Sequence, residues 1–330
     1  MKKKTIKRYI GNKFNSYVKS IKDKEVRKMV KENTIITGGC ITSMLLNEDV
    51  NDFDLYFRNL ETAKTVAKYY TKLYLKNNPL TNMPKETRPE RIEVTDDSGR
   101  IRIKVLSSGI ASENAKKETY KYFEGVTPID GGEAQEKFLD ERIPTDPNIP
   151  TPEGICIDYM MSELKQAEKP KTNNTVYRPV FLTSNAITLS EQIQLIIRFY
   201  GEPEEIHKNY DFIHCTNYWT SWNQELVLHA NALESILTKE LIYSGSLYPI
   251  CSVLRLRKFI DRGWTVNAGQ ILKMCMQISD LNLNDPSILE EQLIGVDVAY
   301  FSQLIAMIRH SNKPEEINTA YIADLIDRIF

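Results

Sequence analysis

The chain has 330 residues, 42% hydrophobic and 26% charged, and its 43 Lys and Arg nearly balance 44 Asp and Glu for a formal net charge of -1. That length holds one large domain or two ordinary ones, each able to bury a core. The composition excludes wholesale disorder, and the charge balance excludes a global pull toward nucleic acid or membrane.

The first element, residues 15–32, spaces Tyr17, Val18, Ile21, Val26, Met29 and Val30 as one face of an amphipathic helix. Its other face is basic: residues 1–31 carry twelve Lys or Arg against Asp23 and Glu25. Such a run is either a solvated helical face or a phosphate-contacting one. A short strand, Thr34 to Thr37, then ends at Gly38-Gly39. Residues 40–46 suit a short helix, and a turn leads into the strand DFDLYF, residues 52–57. Residues 60–76 form a helix with Ala63, Val66, Tyr70 and Leu73 on one side.

After a Pro- and Asn-rich loop, RIEVT and RIRIKVL flank Asp96-Asp97-Ser98-Gly99 as a hairpin. Residues 107–174 look like an insertion. Order returns at 176–188, and IQLIIRF at 193–199 is a nearly continuous apolar strand. Pro203, Glu204 and Glu205 open a short helix, and DFIHCT at 211–216 is expected as the next strand. From residue 223 onward only helices are expected, at 223–241, 248–261, 266–279, 287–293, 297–309 and 314–329. The expected architecture is α+β, with a mixed sheet in residues 1–222 and a helical domain in 223–330.

The five cysteines, at 40, 156, 215, 251 and 275, form no Cys-x-x-Cys pair, so neither a disulfide framework nor a zinc site is expected. No apolar run approaches the ~20 residues of a membrane helix. The cluster Lys2–Lys4 opens no signal peptide. The expectation is a reduced, cytoplasmic protein with no membrane partner.

The chemistry concentrates between Gly38 and Asp54. Side chains alternate along a strand, so Asp52 and Asp54 share a face, opposite Phe53 and Leu55. Two nearby carboxylates repel when ionised, and a divalent metal relieves that repulsion. Gly38 and Gly39 let the backbone approach a ligand, the following helix offers N–H groups to phosphate, and Thr42 or Ser43 can add a hydroxyl. A third acid completes a two-metal site of the kind used in nucleotidyl transfer. Asp211 is the first choice, with Glu93 and Asp96 as competitors. Arg255, Arg257, Lys258 and Arg262 offer charge for a triphosphate or form a solvated face. His214 is expected to be structural, and Cys40 has no evident base beside it. Tyr210, Tyr218, Trp219 and Trp222 either stack on a base or pack between domains.

The segment IITGGCITSMLLNEDVNDFDLYF resembles the signature of the DNA polymerase beta-like nucleotidyltransferase superfamily and, more distantly, tRNA CCA-adding enzymes. Residues 183–217 are similar to a block in nucleotidyltransferase-like proteins of phages and large viruses, which aligns an acid with Asp211. The resemblance implies a nucleotidyltransferase fold and Mg²⁺ (or Mn²⁺) held by Asp52, Asp54 and Asp211. It also implies transfer of a nucleoside monophosphate from an NTP to a hydroxyl on an RNA end or a protein, in the host cytoplasm if phage-encoded. The alternative is a non-enzymatic binding or assembly protein that keeps the fold. A third possibility is an RNA-binding protein driven by the basic N-terminus.

Overall fold

The computed structural model describes residues 1–77, 91–97, 99–106, 177–182 and 185–283, together with 285, 288 and 292. The insertion at 107–174 and the helices expected at 297–309 and 314–329 lie outside these residues. So does most of the one expected at 287–293.

The N-terminus is more ordered than its charge suggests. Two helices, α1 (Lys3–Ser20) and α2 (Lys24–Asn33), replace the single helix expected at 15–32. They part at Asp23, whose carboxylate accepts from the N–H groups of Glu25 (2.9 Å) and Val26 (3.1 Å) and so caps α2. In α1 the apolar residues Ile6, Ile10, Phe14, Tyr17 and Val18 recur every three or four positions and are all buried. The chain continues into β1 (Thr34–Thr37), α3 (Gly39–Leu46), β2 (Phe53–Phe57) and α4 (Leu60–Asn77).

Strands β3 (Arg91–Asp97) and β4 (Arg100–Leu106) form a separate two-stranded sheet. The expected stretch 176–188 is itself a hairpin, β5 (Pro179–Leu182) and β6 (Ala186–Leu189), and β7 (Ile193–Tyr200) follows. Next come the five-residue helix α5 (Pro203–His207), β8 (Tyr218–Thr220) and β9 (Leu226–Val227).

The expected strand at 211–216 does not form. Phe212 makes one isolated bridge to Tyr243, and Ile213–Cys215 is a single 3₁₀ turn. The helix expected at 223–241 shrinks to α6 (Ala230–Thr238), because β9 takes its first residues. Helices α7 (Pro249–Asp261) and α8 (Ala268–Ser279) complete the described chain, the latter capped by Asn267.

The main sheet is mixed, with order β5-β6-β7-β2-β1-β8-β9. Only β2 and β7 run parallel; the other neighbours are antiparallel. One face carries Ile36, Phe53, Leu55, Phe57, Leu195 and Trp219 into the large core built with α1, α2 and α4. A second core gathers Phe212, Ile236, Leu241, Tyr243, Leu256, Trp264 and Met274, against which Leu45 and Leu46 of α3 pack. Here the 3₁₀ turn and α3 join the sheet to the C-terminal helices.

Candidate functional site

The other face of the sheet is where the polar residues gather. Register places Thr37 opposite Asp54 and opposite Tyr218, and Asp54 opposite Gln194, so these four side chains share one face. Behind them Ile35, Tyr56 and Ile206 make a small core flanked by Ile196, Phe199, Tyr210, Tyr218 and Trp222. Asp52 stands one residue before β2 and keeps the parity of Asp54. Both acids act on Cys40, whose thiol is raised first by burial and then by their charges.

Asp54 is the electrostatic centre of the site. Cys40, Tyr56, Tyr210 and Cys215 are all held protonated, with desolvation the largest cause and the charge of Asp54 adding to each. Cys215 is pushed up to about 12. Burial and the nearby acids thus hold both thiols protonated near neutral pH, the less nucleophilic form.

Gly38 has φ +93° and ψ -154°, a backbone region essentially reserved for glycine. Its N–H donates to the Cys215 carbonyl at 3.1 Å, so it is committed to the protein rather than to a phosphate. Gly39 opens α3 with nothing near the place its Cβ would occupy. Thr42 and Ser43 are buried in α3, and the Thr42 hydroxyl donates to the His214 carbonyl at 2.8 Å.

Asp211 belongs to no strand. It is buried just before the 3₁₀ turn, and its Oδ2 accepts from the Arg255 guanidinium of α7. Among the described residues its Oδ1 has no hydrogen-bond partner. Arg255, read as either a triphosphate contact or part of a solvated face, is a counter-charge of Asp211. Glu93 and Asp96 sit on the separate hairpin, where Asp96 pairs with Lys64 at 2.9 Å and accepts from the Gly99 N–H at 3.0 Å. Among the described residues no group of three His, Cys, Asp or Glu is placed to hold a metal. Of the set expected from Asp52, Asp54 and Asp211, Asp54 and Asp211 both raise the Cys215 pKa, and Asp211 is already engaged by Arg255. Two carboxylates alone still suit Mg²⁺ with water completing its shell.

One cluster went unread in the sequence. Thr37 Oγ1 lies 2.8 Å from His207 Nε2, 2.9 Å from the Asn217 carbonyl and 3.3 Å from the Cys215 carbonyl. The hydroxyl has one proton for these acceptors: if it goes to a carbonyl, Nε2 is the donor to Thr37, and if His207 carries its proton on Nδ1, Thr37 donates to Nε2. Burial, then His229, lowers the His207 pKa to about 4. His214 is the structural residue expected: Phe212, Phe259 and Trp264 enclose it, and burial followed by Arg262 lowers its pKa to about 3.

Fold and site define a mixed α/β protein with one desolvated, acid-bearing sheet face tied to a helical C-terminal unit. The chain belongs to the Gabija anti-defense 2 family, whose model matches residues 8–239. A protein of Bacillus phage SPbetaL7 named Gabija anti-defense 2 is 22% identical over 161 residues. That stretch is 48% of this chain and 38% of the phage protein, so the chain spans well under half of that relative. No solved structure matches.

This membership corrects two expectations. The chain is placed in an anti-defence family and not in the nucleotidyltransferase superfamily that its Gly-Gly and Asp-x-Asp signature resembles. Nucleotidyl transfer to an RNA or protein hydroxyl gives way with it. The non-enzymatic alternative agrees better with the family. No helix among the described residues is long and apolar enough to cross a membrane.

Proposed function

We propose that this chain is a phage-encoded counter-defence protein that acts in the infected host by binding a component of the Gabija defence system. Family membership over residues 8–239 carries the reading. Internal contacts support binding over turnover. Asp211 is neutralised by Arg255, the Gly38 amide by Cys215, and the Thr42 hydroxyl by His214. In this reading a nucleotidyltransferase-type sheet, the finer fold expectation, serves as a scaffold for recognition, since function resides in the surface a fold presents and not in the fold.

The test is co-expression with a Gabija system in a bacterium challenged by a phage that the system restricts. Restored plaquing, together with co-purification of a Gabija component, is the expected result. Unchanged restriction at matched expression sinks the proposal. A divalent ion on Asp52 and Asp54 is a separable part of it. Mg²⁺ should raise the melting temperature of the native chain and leave Asp52→Asn/Asp54→Asn unmoved; equal shifts in both would dispose of the ion.

A further inference from the structure

The charge of this molecule is divided very unevenly. Residues 1–33 contain twelve of the 43 Lys and Arg but three of the 44 Asp and Glu, leaving the remainder with an excess of ten acids. Helix α1 contains no acidic residue at all. Lys3, Lys4, Lys7 and Arg8 are exposed on its outer side, while Ile6 and Ile10 between them are fully buried. Lys19 continues the exposed side of α1, and Lys24, Lys28 and Lys31 are exposed on α2.

Local energetics do not explain this arrangement. Lys3 and Lys7, Lys4 and Lys7, and Lys4 and Arg8 stand three or four residues apart, where like charges repel across one helical turn. They also crowd the first turns of α1, the end at which the helix dipole disfavours cations. None of these four side chains takes part in an ion pair among the described residues. A solvated helix would do better with acids interspersed, as the first turns of α2 and α4 show with Glu25 and Glu61.

The face is also wrong for a protein partner. Protein interfaces need an apolar centre and are poor in Lys. Within residues 1–33 the large exposed apolar side chains are Met1 and Tyr9 alone. A nucleic-acid backbone has the opposite demand: a dense line of phosphates whose condensed counterions are released when cations replace them. On α1 the four cations Lys3, Lys4, Lys7 and Arg8 fall within about 7.5 Å of helix axis, with Lys19 about 24 Å from Lys3.

We infer that the outer face of α1, centred on Lys3, Lys4, Lys7 and Arg8, binds the phosphodiester backbone of double-stranded nucleic acid without reading its bases. The contact is electrostatic, so its strength falls with salt and its register on the duplex is free. It stands apart from the counter-defence proposal, because duplex binding and restored plaquing are separate readouts.

The experiment is fluorescence anisotropy of the full chain with a labelled DNA duplex and an RNA duplex of the same sequence, across a salt series. Polyglutamate serves as a polyanion without phosphate. Binding at low salt is expected for at least one duplex, and the tighter of the two names the natural source. The variant K3Q/K4Q/K7Q/R8Q should bind about tenfold more weakly or worse, with the log–log salt slope reduced by about 3 to 4. Its circular dichroism and melting temperature should stay native, because all four side chains are exposed. Absence of duplex binding at low salt, an unchanged slope in the variant, or polyglutamate binding as tight as the duplexes would overturn the inference.

Discussion

Gly38 and Asp54 are in such close approach that a Cβ added to Gly38 would lie 2.9 Å from Asp54 Oδ2. No real Cβ tolerates that distance without something moving, and the positive φ at Gly38 adds strain of its own. The turn between β1 and α3 is therefore fitted to the carboxylate across the sheet. Gly38→Ala should destabilise the fold by about 1–3 kcal/mol. Gly39→Ala, in open space at the start of a helix, should be neutral or stabilise by up to about 1 kcal/mol. Denaturant unfolding of both variants checks this, and an equal loss in the two would show that Asp54 has nothing to do with it.

The Arg255–Asp211 pair should respond asymmetrically to removal of either partner. The Asp211 side chain is 5% exposed and that of Arg255 is 41% exposed. Arg255 deprived of its partner can turn to water, whereas Asp211 would keep a buried, uncompensated charge. Arg255→Met is expected to cost more than Asp211→Asn, with the larger loss about 2–4 kcal/mol after allowance for solvent around the guanidinium. The order of the two melting temperatures decides the point.

His207 and His214 make stability fall with acid. Both have native pKa values, about 4 and about 3, below the unfolded value of 6.5. Above pH 6.5 neither state binds the proton and nothing is lost. Below it the unfolded chain takes up protons that the folded chain refuses, so stability declines from pH 6.5 down toward pH 4 and, for His214, toward pH 3. The fully enclosed His214 contributes up to about 1.4 kcal/mol per pH unit. His214→Phe should flatten the dependence of the melting temperature on pH over that window, and an undiminished slope would exclude His214 as its source.

The basic N-terminus is not an appendage. Ile6 is fully buried in the main core, and the Met1 ammonium donates to the Met44 carbonyl at 2.8 Å. Deleting residues 2–8 removes that core contact together with the cations. Ile6→Ala alone should cost about 2–5 kcal/mol. The deletion should melt at least as early as Ile6→Ala, while the four-residue charge variant melts like the native chain.

Much of this was legible beforehand, for identifiable reasons. The strand, Gly-Gly turn, helix and second strand between Thr34 and Phe57 carry their own punctuation, and alternation alone places Asp52 and Asp54 on one face. Asp96, a competitor for the third acid, lies near the end of β3, where it accepts from the Gly99 N–H of the hairpin and pairs with Lys64. The stretch 211–216 misled because DFIHCT has the composition of a strand, and Phe212 and His214 do share the side that packs near Trp264, as a period of two expects; the backbone nevertheless tightens into a 3₁₀ turn at Ile213–Cys215 and pairs only once, Phe212 with Tyr243. The His207–Thr37 contact spans 170 residues, and nothing local in the sequence announces it. The Gly-Gly and Asp-x-Asp signature is short. It conveyed the local geometry well and the family poorly.

The order of strands has one more consequence, for how the protein is made. β1 is hydrogen-bonded on one side to β2, a near neighbour in the chain, and on the other to β8 at Tyr218–Thr220. A ribosome that has delivered β1 and β2 has left an open strand edge whose partner lies some 180 residues ahead in the sequence. Closing so distant a pair is slow, since the loop must be ordered before the contact repays it. Until Thr220 emerges, the edge that will become the middle of the sheet is the most adhesive surface of the nascent chain. A stalled or truncated product ending before β8 should therefore aggregate, while the finished chain, with that edge covered, should not.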